Sequence, residues 1–228
     1  MSFTSNEFAE EIAEMALRLH DEPTVDETVD GVLEYALKAL DCGYAGVIFV
    51  HGRQRVETAA ASHPLVAELD VVQMECGEGP DIDVLADRYS LIVFDTRTEQ
   101  RWPVWAARVA EIGIRSLLSV RLYTSASTIG TLNLYDQEPN KFDVDDQAVA
   151  HVLARHAAVA LASARHTENL WQAVDARKLI GQAQGILMER YDLNPDQAFS
   201  VLLRYSQDKN IKLRAVAASL VATRKLPV

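Results

Sequence analysis

Cysteine is scarce in this chain of 228 residues: Cys42 and Cys76 are the only two. Two thiols cannot build a disulfide framework or complete a structural zinc site. They fit ordinary half-buried side chains in a reduced compartment. Long apolar runs are missing as well. The uninterrupted stretches are short, as in Ala157 to Ala162, against the roughly 20 residues of a spanning helix. The opening MSFTSNEFAEEIAE is acidic and lacks the basic and apolar regions of a secretory signal, so a cytoplasmic protein with no membrane partner is expected. Catalytic signatures are absent too. There is no phosphate-binding lysine loop, no G-x-S-x-G elbow and no H-E-x-x-H pair, and Gly77-Glu78-Gly79 lacks the third glycine of a dinucleotide fingerprint. The scattered histidines form no ligand set. The expectation is a protein that is not an enzyme, with no catalytic residues, no metal and no cofactor.

What is present is uneven. The formal net charge is −11, yet base is short only in the first part. Met1 to Arg165 holds 13 lysines and arginines against 27 acids, while His166 to Val228 holds 9 against 6. An acidic body followed by a mildly basic tail suits a chain whose tail meets a polyanion.

The apolar spacing sets out the elements. Phe8, Ile12, Met15 and Leu19 recur at helical period, Pro23 breaks the chain, and Thr24 with Glu27 predicts a capped second helix carrying Val25 to Leu40. Tyr44 to Val50 reads as a strand, His51-Gly52-Arg53 as a turn and Gln54 to Ala61 as its partner strand. A helix is expected over 63–74 with Ser62 as its cap, then a loop over 76–80. A short strand is expected over 91–94, and a helix over 102–112 ended by Gly113. Residues 116–122 and 129–135 form a hairpin. Strands grouped first and flanked by helices predict an α+β domain with a mostly antiparallel sheet.

From Lys141 to Ile180 there is neither glycine nor proline, which predicts one long helix with Asp143 as its cap. Leu153, Ala157, Ala160, Ala164, Thr167, Trp171 and Val174 recur along it at spacings of four and three. This heptad-like seam, rich in alanine, predicts pairing with a second copy in a homodimer. Beyond it the tail reads as three short helices. Gly181 and Gly185 stand four apart in the first, Asn194 caps the second, and Leu213 to Val221 carry the third. The domains are expected at 1–165 and 166–228.

Three blocks of the tail carry a resemblance: Arg177-x-x-Ile180-x-x-Ala183-x-Gly185-x-Leu187-Met188, Ala198-Phe199-x-x-Leu202-x-x-x-Ser206 and Asn210-x-Lys212-Leu213-x-x-Val216-Ala217. In this order they resemble the ANTAR domain, a family that binds RNA and acts in transcription antitermination in bacteria. The body, with Gly77-Glu78-Gly79-Pro80, Ile114 to Leu118 and Ile129 to Tyr135, resembles a GAF domain. The position often held by cysteine in such proteins is Asp81 here, which leaves no thiol for sensing at that place.

The resemblance implies a GAF-like sensor joined by a long helix to a three-helix ANTAR-like domain that holds RNA stem-loops. Within it, Arg177, Lys178, Arg190, Arg204, Lys209, Lys212 and Arg214 offer cations to phosphates. Gln182 and Gln184 offer amide hydrogen bonds, Tyr205 a stacking face, and Gly185 an open stretch of backbone. The sensor could hold an unidentified small-molecule effector. Two other readings stay open on the residues alone: a DNA-binding regulator with a helix-turn-helix tail, and a sensor whose tail binds another protein. Against the first, residues 212–225 are dominated by Ala, Val and Leu, with little to read base edges.

Overall fold

The computed structural model describes residues 5–51 and 55–226, with side chains from Glu10 onward except that of Glu11. It divides into two compact units, Met1–Arg165 and His166–Val228. In the first unit, α1 (Ser5–Asp21) and α2 (Val25–Leu40) form on either side of Pro23. Phe8 lies outside the described side chains. Thr24 caps α2: its hydroxyl oxygen accepts from the Glu27 amide at 3.2 Å and its proton goes to Glu27 Oε2 at 2.6 Å.

Five strands follow: β1 (Tyr44–His51), β2 (Arg55–Ala61), β3 (Ser90–Val93), β4 (Ser116–Tyr123) and β5 (Thr128–Asp136). They form one sheet in the order β2-β1-β5-β4-β3, with every neighbouring pair antiparallel. The expected 51–53 turn extends into positions 52–54, outside the described residues.

Alternation along the strands gives the sheet two different faces. Val47, Leu118, Val120, Leu122, Leu132 and Leu134 point to one side, into a core shared with Met15 and Leu19 of α1 and with Val29, Val32 and Ala36 of α2. That core is closed by α6 (Val144–Tyr191) through Ala150, Leu153, Ala157 and Leu161. Each large aliphatic side chain buried here contributes about 1.5–3 kcal/mol relative to exposure. On the other side lie α3 (Pro64–Cys76), α4 (Pro80–Ala86) and α5 (Pro103–Ile112), over a core with Trp102, Trp105, Leu117 and Tyr135. Gly46 lets α3 approach, because a Cβ there would stand 2.5 Å from Val66 Cγ1.

Three expectations are corrected. The cap of α3 is His63, whose Nδ1 accepts from the Leu65 amide at 3.2 Å; Ser62 Oγ instead accepts from the Ala45 amide and fastens the helix start to β1. The 76–80 segment is not a plain loop, because α3 runs to Cys76 and Pro80 opens α4. The first four of the seven seam positions are internal: Leu153, Ala157, Ala160 and Ala164 are buried in the unit's own core. Alanine at these positions lets α6 lie close against its own sheet and helices. Trp171 and Val174, further along, are exposed.

In α6 the Asp143 carboxylate accepts from the amides of Asp145 and Asp146, and the helix continues unbroken past the glycines to Tyr191. The second unit adds α7 (Pro195–Lys209) and α8 (Leu213–Thr223). Asn194 and Gln197 form a full capping box at the start of α7. Ala183, Leu187, Ala198, Leu202, Val216, Ala217 and Leu220 make its small core, all of them apolar.

Candidate nucleic-acid interface and sensor core

In the tail unit every lysine and arginine is exposed: Arg177, Lys178, Arg190, Arg204, Lys209, Lys212, Arg214, Arg224 and Lys225. Most of the expected contact residues fall into two patches. Lys178, Gln182 and Gly185 share one stripe of α6 by helical spacing. Gln182 and Gly185 also line a cleft of about 520 Å³, together with Ile186, Glu189, Arg190, Val221 and Arg224. Arg204 and Tyr205 near the end of α7, with Lys212 and Arg214 at the start of α8, form the second patch. The 11 residues of α8 set the α7–α8 turn about 15 Å from Arg224. Arg177 lies on α6 one turn before Gly181, off the Lys178 stripe.

Not every candidate is free for a ligand. Gln184 Nε2 donates to the Pro195 carbonyl at 3.0 Å and ties α6 to the start of α7. Tyr205 is half-buried and packs against the tail core. Arg190 Nη1 donates to the Arg224 carbonyl at 2.9 Å, closing the end of α8 against α6. Arg204 approaches Asp208 only loosely, at 3.7 Å. A Cβ added at Gly181 or Gly185 would meet nothing within 4 Å, so neither glycine serves packing inside this chain. Arg224 was missed as a candidate; its signal was a basic pair, Arg224-Lys225, just past the third helical pattern.

The sensor unit holds the opposite arrangement on the α3/α4 face of its sheet, where polar groups are buried. Asp81, in the first turn of α4, is 4% exposed. Gln73 clasps it twice: Gln73 Oε1 accepts from the Asp81 amide at 3.1 Å, and Gln73 Nε2 donates to Asp81 Oδ2 at 2.7 Å. From the sheet, Ser119 Oγ stands 2.8 Å from Asp81 Oδ1 and 2.7 Å from Asn133 Oδ1, while Asn133 Nδ2 donates to Asp81 Oδ2 at 2.9 Å. Asp70 on α3 is 2% exposed and accepts from Thr58 Oγ1 at 2.6 Å. Burial, reinforced by the Asp81 charge, pushes its carboxyl up to about 7. Burial raises Asp81 as well, against the lowering effect of its hydrogen-bond donors. This network was not read from the sequence. Its trace was a polar residue at alternate positions of two apolar strands, Ser119 in β4 and Asn133 in β5.

The surrounding charges are engaged elsewhere. Glu78, between α3 and α4, accepts from the amides of Val104 and Trp105 at 2.7 and 3.0 Å and so caps α5. Arg115 and Asp95 form a two-pronged pair at 2.9 and 2.7 Å, and the arginine's hydrogen bonds hold that carboxyl at about 2. Burial pushes the Cys42 thiol up to about 12, which keeps it from acting as a nucleophile. Among the described residues no cluster of three or more histidine, cysteine or acidic side chains could hold a metal, and no helix is long and apolar enough to cross a membrane.

Known proteins fit this division. The family model of the GAF domain matches residues 22–162, and that of the ANTAR domain matches residues 168–221. Among solved structures, the GAF domain from Acinetobacter phosphoenolpyruvate-protein phosphotransferase is 14% identical with a TM-score of 0.57, covering 73% of this chain and 99% of that one. The free methionine-R-sulfoxide reductase from Neisseria meningitidis is 16% identical with a TM-score of 0.56, covering 73% and 95%. A bacteriophytochrome from the photosynthetic bacterium R. palustris is 10% identical with a TM-score of 0.59; the match covers 82% of this chain but 43% of that one. At these identities the likeness shows the fold alone. No curated protein matches the chain.

Proposed function

Because this chain belongs to the GAF domain family and carries an ANTAR domain behind it, we propose that it is a cytoplasmic regulator that binds RNA stem-loops through its tail and so controls transcription termination in response to a signal. Sensory and regulatory domains, rather than catalytic ones, make up the matched regions. The observation that carries the RNA reading is the distribution of charge. All nine cations of the tail lie on its surface, while the preceding unit carries 27 acids against 13 bases. A polyanion is repelled by the first unit and attracted by the second.

The working surface is the cleft face. Lys178 and Arg224 meet phosphates, Gln182 hydrogen-bonds a splayed base, and the bare backbone at Gly181 and Gly185 admits the loop closely. Arg177 and the patch of Arg204, Lys212 and Arg214 extend the phosphate contacts. Tyr205 supports the second patch through packing, and Gln184 holds α7 in place. A homodimer brings two such tails to two stem-loops. Its contact uses the exposed apolar residues of α6 at Leu170, Trp171 and Val174, not the alanines that fill the sensor core. The polar α3/α4 face of the sensor is where an effector is read.

The test is binding of the full chain to a two-stem-loop RNA, with a DNA duplex as control, for the wild type and for Arg224→Glu and Lys178→Glu. Each reversal is expected to weaken RNA binding at least about tenfold, which is about 1.4 kcal/mol. Unchanged affinity in both variants, or equal binding to the DNA duplex, would overturn the reading.

A further inference from the structure

The buried contacts around Asp81 can be checked by counting hydrogens. Asp81, Ser119 and Asn133 form a closed ring of three contacts: Oδ1 to Ser119 Oγ, Ser119 Oγ to the Asn133 amide, and the Asn133 amide to Asp81 Oδ2. Each contact needs one hydrogen. Ser119 supplies one. The Asn133 amide supplies one, because its nitrogen can face only one of its two ring neighbours. An ionised Asp81 supplies none, so one contact would set two oxygens against each other at hydrogen-bond distance. With Asn133 as placed, a proton on Asp81 Oδ1 completes the ring: it is donated to Ser119 Oγ, and the Ser119 proton goes to Asn133 Oδ1. If the amide is turned over, the proton sits on Oδ2 instead, and the count is the same. Gln73 cannot relieve the shortage. Its oxygen is fixed by the Asp81 amide, and its nitrogen already donates to Oδ2.

Thr131 Oγ1, on β5 beside Asp81, is fully buried and makes no hydrogen bond of good geometry. Its hydroxyl stands outside the ring of three contacts, so the hydrogen count within the ring is unchanged, and as a donor toward Asp81 it acts against burial. Other titratable groups add no positive charge. Asp70 from α3 and Tyr135 from β5 face Asp81, and Thr58 from β2 holds Asp70. Arg121 of β4 spends its guanidinium on the Val84 carbonyl of α4. Glu75 pairs with Arg108 of α5, and Glu78 caps that helix. Among the described residues neither Asp70 nor Asp81 belongs to an ion pair.

We propose that this cluster is a proton-binding site that gates the seat of α3 and α4 on the sheet: Asp81 carries a proton in the seated state, and loss of the Asp70 proton beside it loosens α3. The two carboxyls titrate as a coupled pair. The sign follows from Asp70, whose folded-state value, about 7 with Asp81 charged and raised by burial even with Asp81 neutral, lies above its ordinary 3.8. The folded chain then holds more protons than the unfolded one between those values. Stability is greatest at the acid end of that window and declines as pH rises through about 7. Gly79 shapes the device, since a Cβ there would collide with the Gln73 side chain that clasps Asp81.

The experiment uses the full chain without RNA, so its outcome is independent of the RNA reading. Thermal unfolding of the wild type, Asp70→Asn and Asp81→Asn is followed from pH 5 to pH 9, with infrared spectra of the wild type and both variants at neutral pH. The wild-type Tm of the sensor transition is expected to fall by at least about 3 °C as pH rises through neutrality, and Asp70→Asn is expected to flatten that fall. Asp81→Asn, whose amide brings the missing hydrogen, keeps the fold and removes a protonated-carboxyl band that the wild type shows at pH 7. Absence of that band in the wild type, or a pH profile that Asp70→Asn leaves unchanged, overturns the proposal. A protonated-carboxyl band that persists in Asp70→Asn at pH 7 assigns the proton to Asp81 even if Asp81→Asn fails to fold.

Discussion

In the sensor unit the polar chemistry is inside: Asp70, Gln73, Asp81, Ser119 and Asn133 are all buried beneath α3 and α4. In the tail unit it is outside, over a core with no polar member among its fully buried residues and with nine exposed cations. Burying a carboxyl costs free energy unless hydrogen bonds or a proton offset it. The sensor bears that cost on the α3/α4 face of its sheet, while the face toward α1, α2 and α6 has a large apolar core and buries no carboxyl. The tail leaves its charges in water, where they are cheap to maintain and available to a large ligand. A small or internal signal suits the first arrangement, and a long anionic partner suits the second.

The substitution with the largest expected effect is Ala160→Glu, which places a charge in the apolar core where Ala160 is 5% exposed. A loss of at least about 4 kcal/mol in sensor stability is expected. Trp171→Glu, at a site 67% exposed, leaves thermal unfolding of the sensor unchanged and lowers the mass by light scattering toward the monomer. If Ala160→Glu left the sensor folded, the two-faced description of the sheet would be wrong. Next is Leu202→Ala in the tail core, with a cost of about 3 kcal/mol. In a unit this small, urea unfolding should show the tail melting ahead of the sensor.

Gly185→Ala separates folding from binding within the tail. Glycine in a helix interior costs about 1 kcal/mol against alanine, and nothing in the chain meets the added methyl. The variant is expected to stabilise the tail by about that amount while weakening RNA binding. Higher stability with unchanged binding would remove Gly185 from the interface. The smallest effect is Asp95→Asn. Arg115 lowers the Asp95 carboxyl from 3.8 to about 2, so its contribution is present above the ordinary value and is lost as pH falls through about 2. The variant should unfold with a shallower acid limb, opposite in sign to the Asp70 effect, and small because both partners are partly solvated.

The long helix, the hairpin of β4 and β5 and the caps at Thr24 and Asn194 were legible in the sequence, because each rests on local period or local capping chemistry. The α4 helix was not legible: seven residues with two glycines before them give too short a period to register. The seam on α6 was legible as a stripe, but not its partner. Leu153, Ala157, Ala160 and Ala164 satisfy a coiled coil and a sheet-packing helix equally well, and only the tertiary structure says which surface they meet. The Asp81 network escaped because its members come from α3, α4, β4 and β5, whose registers must be known before Ser119 and Asn133 become neighbours. The tail cations were visible one by one, and folding sorted them into the cleft face and the α7–α8 turn.

The central claim is that the tail's exposed cations read a polyanion, and the salt dependence of RNA binding tests it most directly. Affinity of the full chain for a two-stem-loop RNA, measured at several salt concentrations, is predicted to fall with a log–log slope of about −0.7 for each single-stranded phosphate contacted. Arg224→Glu should make that slope shallower by about one contact. A slope near zero for the wild type, or the same slope for Arg224→Glu at undiminished affinity, would contradict the account.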